Sequence, residues 1–218
     1  MAYRRTENVA RRLAARRAAI VAAACETVVE EGLAAVQIVE VAARAGIAAG
    51  TVYRYFPSKT ELVAAALAAL GEREMAAIER AARAAPGPLS ALAAAVTIFT
   101  ARAVASPRLA IALIADGAQP AVVRNAYRAA LAARFDELIR NAIAAGRLPD
   151  QDAAMAASAL IGALSAGVVG PRPPAAAPEA TVARAQVQSL ALFALRALGV
   201  VDARARGLVV QTVLPQPG

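Results

Sequence analysis

The sequence of 218 residues contains no histidine and no tryptophan, and it has a single cysteine. Without histidine, the usual general base and the commonest zinc ligand are missing, which excludes a Ser-His-Asp site. One cysteine cannot form an intrachain disulfide or a cysteine-rich metal site, and this usage is typical of a reducing cytosol. Only an enzyme that works through carboxylates or a bound cofactor stays open. We expect a cytoplasmic protein that is not an enzyme and that holds no metal or resident cofactor.

Acidic side chains are also scarce, with 16 Asp and Glu against 24 Lys and Arg, which gives a net charge of +8. Such a balance favours an anionic partner, either a nucleic acid or a membrane surface. The excess is concentrated in residues 1–20, which hold six arginines and one acidic residue, Glu7. An arginine-rich arm that binds nucleic acid and a frayed, solvated tail explain this concentration equally well.

Long apolar runs are nearly absent. Four arginines interrupt any early run, so we expect no signal peptide. Residues 153–171 carry no charge and are about long enough to span a bilayer. They are mostly alanine, glycine and serine, which suits close helix packing in a soluble core better than a lipid environment. We therefore expect no membrane association.

Apolar residues recur at helical spacing almost throughout, and no run alternates with period two. This pattern predicts an all-α protein of about nine helices. Ser58 and Glu61 form a capping box that opens the fourth helix, and Asp150 or Asp152 caps the eighth. The residues after Gly199 are expected to fray. The predicted division is a small N-terminal unit over 1–61, a larger C-terminal unit over 62–200, and a tail over 201–218.

Two short segments joined by a glycine turn, 36–46 and 47–56, have the proportions of a helix-turn-helix. The second segment begins with small residues, so its backbone N–H groups can approach the major groove closely. Thr51 can meet a base edge there. Tyr53 and Tyr55 are long enough to reach phosphate oxygens, and Lys59 adds a positive charge. We expect Val52 and Phe56 to be buried beneath this surface.

Residues from about 20 to 67 resemble the DNA-binding domain of the TetR family of transcriptional repressors. The fragments that carry the resemblance are Gly32, IVEVA at 38–42, RAGI at 44–47 and GTVYRYFPSKTEL at 50–62. The family resemblance implies a sequence-specific, ligand-responsive repressor that acts as a homodimer on a palindromic double-stranded DNA operator. It makes residues 1–61 a DNA-binding domain with an arginine-rich N-terminal arm, and residues 62–200 an effector-binding and dimerisation domain. The predicted DNA-binding residues are Gln37, Arg44, Ala48, Ala49, Gly50, Thr51, Tyr53, Tyr55 and Lys59.

The sequence departs from the family pattern at two helix starts. Gln37 and Ala48 stand where the family usually has a hydroxyl residue, and the loss of such a cap costs about 1 kcal/mol. Gln37 can instead read adenine, although a solvated glutamine is an equally good interpretation. Arg44 either contacts the DNA backbone or lies at a solvated helix end.

The C-terminal helices have two expected roles. The small-residue helix 153–169 and the apolar helix 181–198 can pack with a second copy as a four-helix interface, or they can merely complete a monomer core. In the family, the central helices enclose a pocket for a small organic effector. The predicted ligand-binding residues are Phe99, Leu113, Asp116, Gln119, Tyr127 and Phe135.

Two other functional classes stay open. A basic helical protein can coat DNA without reading its sequence, as architectural proteins do, and this is the main alternative. A helical enzyme or a membrane-associated bundle is more remote, because the sequence has no paired-carboxylate or phosphate-loop motif.

Overall fold

The computed structural model describes residues 2–115, 120–170 and 180–212, with side chains from Glu7 onward apart from Ala180. Within these ranges every regular element is helical, which confirms the all-α prediction. The helices are α1 (Ala2–Glu30), α2 (Ile38–Arg44), α3 (Ala49–Tyr55), α4 (Lys59–Ala84), α5 (Pro88–Ala105), α6 (Pro107–Ile114), α7 (Ala121–Ala144), α8 (Ala153–Val169), α9 (Ala180–Ala197) and α10 (Asp202–Gln211), with a 3₁₀ turn at Leu33–Ala35.

Helices α1, α2 and α3 share a small core. Ile20, Ala24 and Val28 on α1 are fully buried, whereas residues 7–19 of the same helix are exposed. Glycine makes the two sharp turns, because Gly32 and Gly46 have φ angles of +97° and +66°, a conformation that other residues rarely adopt. The first half of α1 therefore projects beyond the core that its second half helps to form.

Helix α4 joins the two parts of the protein without a break. Its N-terminus is capped as expected, since the Glu61 backbone N–H donates to Ser58 Oγ at 3.2 Å. The predicted domain boundary between residues 61 and 62 falls in the first turn of this helix. One continuous helix therefore joins the C-terminal part of the protein to residues beside the helix-turn-helix.

The remaining helices pack around α5, whose Leu92 and Val96 are fully buried. Among the described residues, α5 is the one helix long and apolar enough to cross a membrane, and two-thirds of it is buried inside the protein. Helix α8, the segment singled out from the sequence, is shorter at 17 residues. Asp152 rather than Asp150 caps α8, because its Oδ1 accepts from the Met155 backbone N–H at 3.0 Å.

The expectation of a frayed tail after Gly199 is wrong for residues 202–211, which form α10. Ala205 and Val209, one turn apart, are buried where α10 packs on α9 and α5. Asp202 forms ion pairs with Arg196 of α9 and Arg206 of α10, and these hydrogen bonds lower the pKa of its carboxyl group. The helix was missed because only a narrow apolar stripe marks it. Its addition brings the described α-helices to ten rather than nine.

Candidate nucleic-acid interface and internal cavity

The recognition surface consists of the exposed side of residues 48–59, which form α3 and the start of α4. Two apolar side chains on the inner side of α3 hold it in place. Val52 is fully buried and Phe56, directly after the helix, is 2% exposed, as the sequence predicted. The turn before α3 closes when the Ile47 backbone N–H donates to the Ala42 carbonyl at 3.0 Å. This arrangement turns the opposite face of α3 towards solvent.

Most of the predicted DNA-binding residues lie on this outward face. Ala48, Gly50, Tyr53 and Lys59 are exposed and Thr51 is half-buried. Ala49 and Tyr55 are half-buried on the inner side of α3, where they pack against the core. Tyr53 is 53% exposed, which is high for an aromatic residue in a protein with few of them. The structure thus brings seven of the nine predicted residues together on α3 and the start of α4, and their contacts with DNA stay predictions.

The missing caps are visible at both helix starts. Neither Gln37 before α2 nor Ala48 before α3 makes a side-chain capping bond. The Gln37 side chain turns back instead, and its Nε2 donates to the Ala34 carbonyl at 3.3 Å. A base contact by Gln37 requires this bond to be exchanged for one to DNA.

Arg44 is held by three carboxylates, two in the last turns of α1 and one directly after it. Its guanidinium lies 2.6 Å from Glu30, 2.9 Å from Glu31 and 3.7 Å from Glu26. The hydrogen bond to Glu30 is the main cause of a raised pKa for Arg44. These pairs tie the end of α2 to the end of α1, so a contact between Arg44 and the DNA backbone, which stays a prediction, requires the guanidinium to leave them.

Two arginines of the surface were not among the predicted contacts. Arg54 is exposed next to Tyr53 on α3. Arg17 of α1 lies over the ring of Phe56, with its guanidinium carbon 4.9 Å from the ring centre. The excess of arginine near the N-terminus was a sequence signal, but periodicity alone does not show that Arg17 meets a residue 39 positions later.

A cavity lies between α4, α5, α6 and α7. Its volume is about 20 Å³, which is room for about one water molecule. The lining residues are Glu74, Phe99, Arg102, Ala103, Ser106, Leu109, Ala110, Leu113, Ile114 and Tyr127. Aromatic and aliphatic side chains thus surround one acidic side chain, Glu74, and one basic side chain, Arg102.

Three of the predicted ligand-binding residues, Phe99, Leu113 and Tyr127, line this cavity. Phe135 does not line it; the ring is fully buried and packs edge-on against Phe99 with 6.3 Å between ring centres. Phe135 therefore supports the wall from behind. Asp116 and Gln119 lie outside the described residues.

The charged groups of the cavity are an ion pair that the sequence analysis missed. Arg102 donates to both carboxylate oxygens of Glu74, at 2.5 and 2.6 Å. The Glu74 side chain is only 10% exposed, and the bond to it is the main cause of a raised pKa for Arg102. Burial raises the pKa of neighbouring Tyr127 and keeps its hydroxyl protonated.

Tyr127 also packs closely on α4. A side-chain carbon added at Gly71 would stand 3.1 Å from the Tyr127 ring, closer than such contacts normally are. Glycine inside a helix usually costs about 0.5–1 kcal/mol, and here it allows the ring to approach the helix backbone. The cavity wall is thus fitted directly against α4.

The comparisons with known proteins agree with this geometry. Residues 20–66 match the family model described as bacterial regulatory proteins, tetR family. A search of curated proteins finds no match. The crystal structure of RolR in complex with resorcinol shares the fold with a TM-score of 0.68 at 22% identity, covering 96% of this chain and 100% of that one.

Two further solved structures are similar over most of their length. FadR from Bacillus subtilis, in complex with stearoyl-CoA, has a TM-score of 0.60 at 18% identity, covering 89% of this chain and 98% of that one. A TetR/AcrR-family regulator from Thermobifida fusca has a TM-score of 0.63 at 20% identity, covering 81% and 96%. Residues 20–66 thus match the tetR family of bacterial regulatory proteins, and over most of its length the chain shares the fold of these three solved structures.

Proposed function

We propose that the protein is a cytoplasmic, ligand-responsive transcriptional repressor that binds a palindromic operator as a homodimer. The observation that carries this proposal is the exposed side of α3. Small residues lie there close to polar side chains of α3 and of the N-terminus of α4. Ala48 and Gly50 are exposed and short, so the helix backbone can come close to base edges. Tyr53 and Lys59 flank them with groups that suit phosphate oxygens.

The supporting observation for a homodimer is an exposed face on α8 and on residues 182–193 of α9 that carries no charged side chain. On α8 it consists of Ala154, Met155, Ser158, Ala159, Gly162 and Ala166, all exposed. On α9 it continues with Val182, Ser189 and Phe193, whose spacing follows one side of a helix. Met155 is 69% and Phe193 is 56% exposed in the single chain, so pairing with a second copy would remove both from water.

A dimer of this kind explains how a short recognition helix reaches useful affinity. Two copies of α3 related by a two-fold axis would meet successive major grooves about 34 Å apart, which is one turn of DNA. Both half-sites then contribute to binding, and the operator takes the symmetry of the protein. A palindromic site is the direct consequence.

The cavity and α4 together supply a route for regulation. Glu74 lies in the cavity wall, on the same unbroken helix that begins with Lys59 beside the recognition surface. A cavity of about 20 Å³ has to expand to admit an organic molecule, and α4 is one of its walls. An effector that binds the expanded form therefore selects a position of α4 that differs from the DNA-binding one.

The effector we propose is a small organic molecule with hydroxyl or similar polar groups. Such a group can donate to Glu74 and accept from Arg102, while a ring packs against Phe99 and Tyr127. RolR, similar in fold, is named as a complex with resorcinol, a small ligand, which supports this choice. A differential affinity of about 1.4 kcal/mol between the two positions of α4 changes operator binding tenfold.

The first experiment is the selection of bound duplexes from a random DNA pool at about 0.15 M salt, where weak electrostatic binding is suppressed. We expect an enriched site with two-fold symmetry. Binding without any enriched sequence would identify an architectural protein instead. Repression is then tested by placing the selected site between a promoter and a reporter gene, where raised expression in the presence of the protein would indicate an activator.

Replacing Lys59, the single lysine of the chain, is expected to weaken binding to all DNA sequences alike. Its charge is exposed at the start of α4, where it suits a phosphate. For Lys59→Ala, the slope of log K against log salt should become shallower by about 1, the value for one phosphate that is no longer neutralised. The control is Arg83→Ala, which removes an exposed charge at the far end of the same helix. Equal slopes for both variants would remove Lys59 from the interface.

Thr51→Ala provides the complementary case, because Thr51 is proposed to meet a base rather than a phosphate. Removal of one base interaction costs about 1–3 kcal/mol on the correct site. Titrations of the selected duplex and of a scrambled one are expected to show this weakening on the selected duplex only. An equal effect on both would make Thr51 a structural residue of α3.

A further inference from the structure

The first half of α1 is an exposed basic segment that leads into the helix-turn-helix. Residues 7–19 are all exposed, and burial starts only at Ile20. Over this stretch the charged residues are Arg11, Arg12, Arg16 and Arg17 against Glu7. An amphipathic helix that served only to complete the core would bury one side along its whole length, and this half buries none.

Arg17 joins this segment to the end of α3. Its guanidinium stacks on Phe56, which directly follows α3 and lies three residues before Lys59. The exposed half of α1 therefore leaves the domain beside the residues proposed to face DNA. With a rise of about 1.5 Å per residue, Arg11 lies about 9 Å further along the helix than Arg17.

The arginines are also spread around the helix. At about 100° per residue, the four directions leave no gap wider than about 120°. A guanidinium therefore faces a polyanion whichever side of α1 is turned to it. Duplex DNA carries one negative charge for about each 1.7 Å of its axis, so phosphates continue beyond the half-site that α3 reads.

We propose that the exposed half of α1 is a second, sequence-independent DNA contact, in which Arg11, Arg12 and Arg16 bind phosphates flanking the half-site. The proposal rests on the DNA-binding function proposed above and extends the footprint of each subunit. In this arrangement the two helices have different roles. Helix α3 contacts bases and gives sequence specificity, whereas α1 contacts phosphates and adds affinity and salt dependence. The continuity of positive charge from Lys59 through Arg17 to Arg11 favours DNA over any other anionic surface.

The test is the triple variant Arg11→Ala, Arg12→Ala and Arg16→Ala in the full-length protein, titrated on the selected duplex at several salt concentrations. The slope of log K against log salt should become shallower by about 2–3, because each phosphate that an arginine neutralises adds about 0.9 to the slope. Binding to the selected and the scrambled duplex should fall by the same factor. Hydroxyl-radical protection should shrink at the outer edges of the site and persist at its centre.

The matched control removes three exposed arginines far from this surface, Arg83, Arg147 and Arg204, and so changes the net charge equally. Its slope should stay close to that of the parent protein. Alanine has a higher helix propensity than arginine, so the triple variant should keep α1 helical, and circular dichroism checks this. Equal changes in the two triple variants would overturn the proposal.

The remaining outcomes distinguish the proposal from the function on which it rests. A parent protein that binds no DNA refutes the proposed function itself, and the extended contact with it. An unchanged slope with intact operator binding overturns the α1 contact alone. Flotation with vesicles that contain anionic phospholipid covers the membrane alternative; loss of vesicle binding in the triple variant with an unchanged DNA slope would also overturn the proposal.

Discussion

Phe193→Asp is expected to convert the protein into a monomer and to weaken binding to a two-fold symmetric operator by at least about 100-fold. The factor reflects the loss of avidity, because two linked half-site contacts exceed one by about 10²–10⁴. Phe193 is 56% exposed on α9, so the substitution leaves the core of the single chain intact. In a dimer, however, it would place an unpaired carboxylate in an apolar interface, which costs several kcal/mol.

Sedimentation and operator titration measure the two effects in the same preparation. The control is Val122→Asp, which adds the same charge at an 81% exposed apolar residue of α7 that is not part of the proposed face on α8 and α9. This variant should remain a dimer with parental affinity. A dimeric Phe193→Asp protein would show that α8 and α9 do not form the interface, and they would then be elements that only complete the monomer core.

Gly162 and Gly167 of α8 have different surroundings that the sequence did not distinguish. Both belong to the small-residue segment 153–171, for which the composition predicted close helix packing. A Cβ at Gly167 would collide with Leu190 of α9, so this glycine serves packing within the chain. No atom lies within 4 Å of the corresponding position at Gly162, which is exposed. Composition gave the two glycines the same role because it contains no information on which side of α8 faces α9.

Local signals predicted the helix-turn-helix well. Its features depend on residues that are close in sequence, so they can be predicted without a tertiary structure. These features are the turn glycines, the Ser58 cap, the proline after Phe56 and the buried Val52. The interactions that sequence analysis missed join distant positions. Arg17 meets Phe56 across 39 residues, and Arg102 bonds Glu74 across 28. Periodicity predicts which side of a helix is apolar, but it does not select the partner of a charged residue.

Arg102→Ala is expected to lower the free energy of unfolding by about 2 kcal/mol. The Glu74 side chain is 10% exposed and would lose both of its hydrogen bonds to the guanidinium. Removing one member of a fully buried pair costs about 3–5 kcal/mol, and the 37% exposure of the Arg102 side chain reduces this value. For a chain of this length, the melting temperature should fall by about 4–8 °C.

Thermal and urea denaturation measure this destabilisation, with Arg80→Ala as the control because Arg80 is exposed on α4. The double variant Glu74→Leu with Arg102→Leu is expected to recover most of the stability, since an apolar pair of similar volume replaces the ions without a desolvation cost. If Arg102→Ala and Arg80→Ala unfold alike, the ion pair does not contribute to stability.

The same double variant separates the structural role of the pair from its role in regulation. Its apolar side chains can hold α4 against α5, but they cannot exchange hydrogen bonds with a hydroxylated effector. We therefore expect it to bind the selected operator with parental affinity and to resist release by resorcinol, the first small polar probe to be tested, at concentrations that release the parent protein. Release of both proteins alike would show that Glu74 and Arg102 only hold the two helices together, and that the effector contacts other residues.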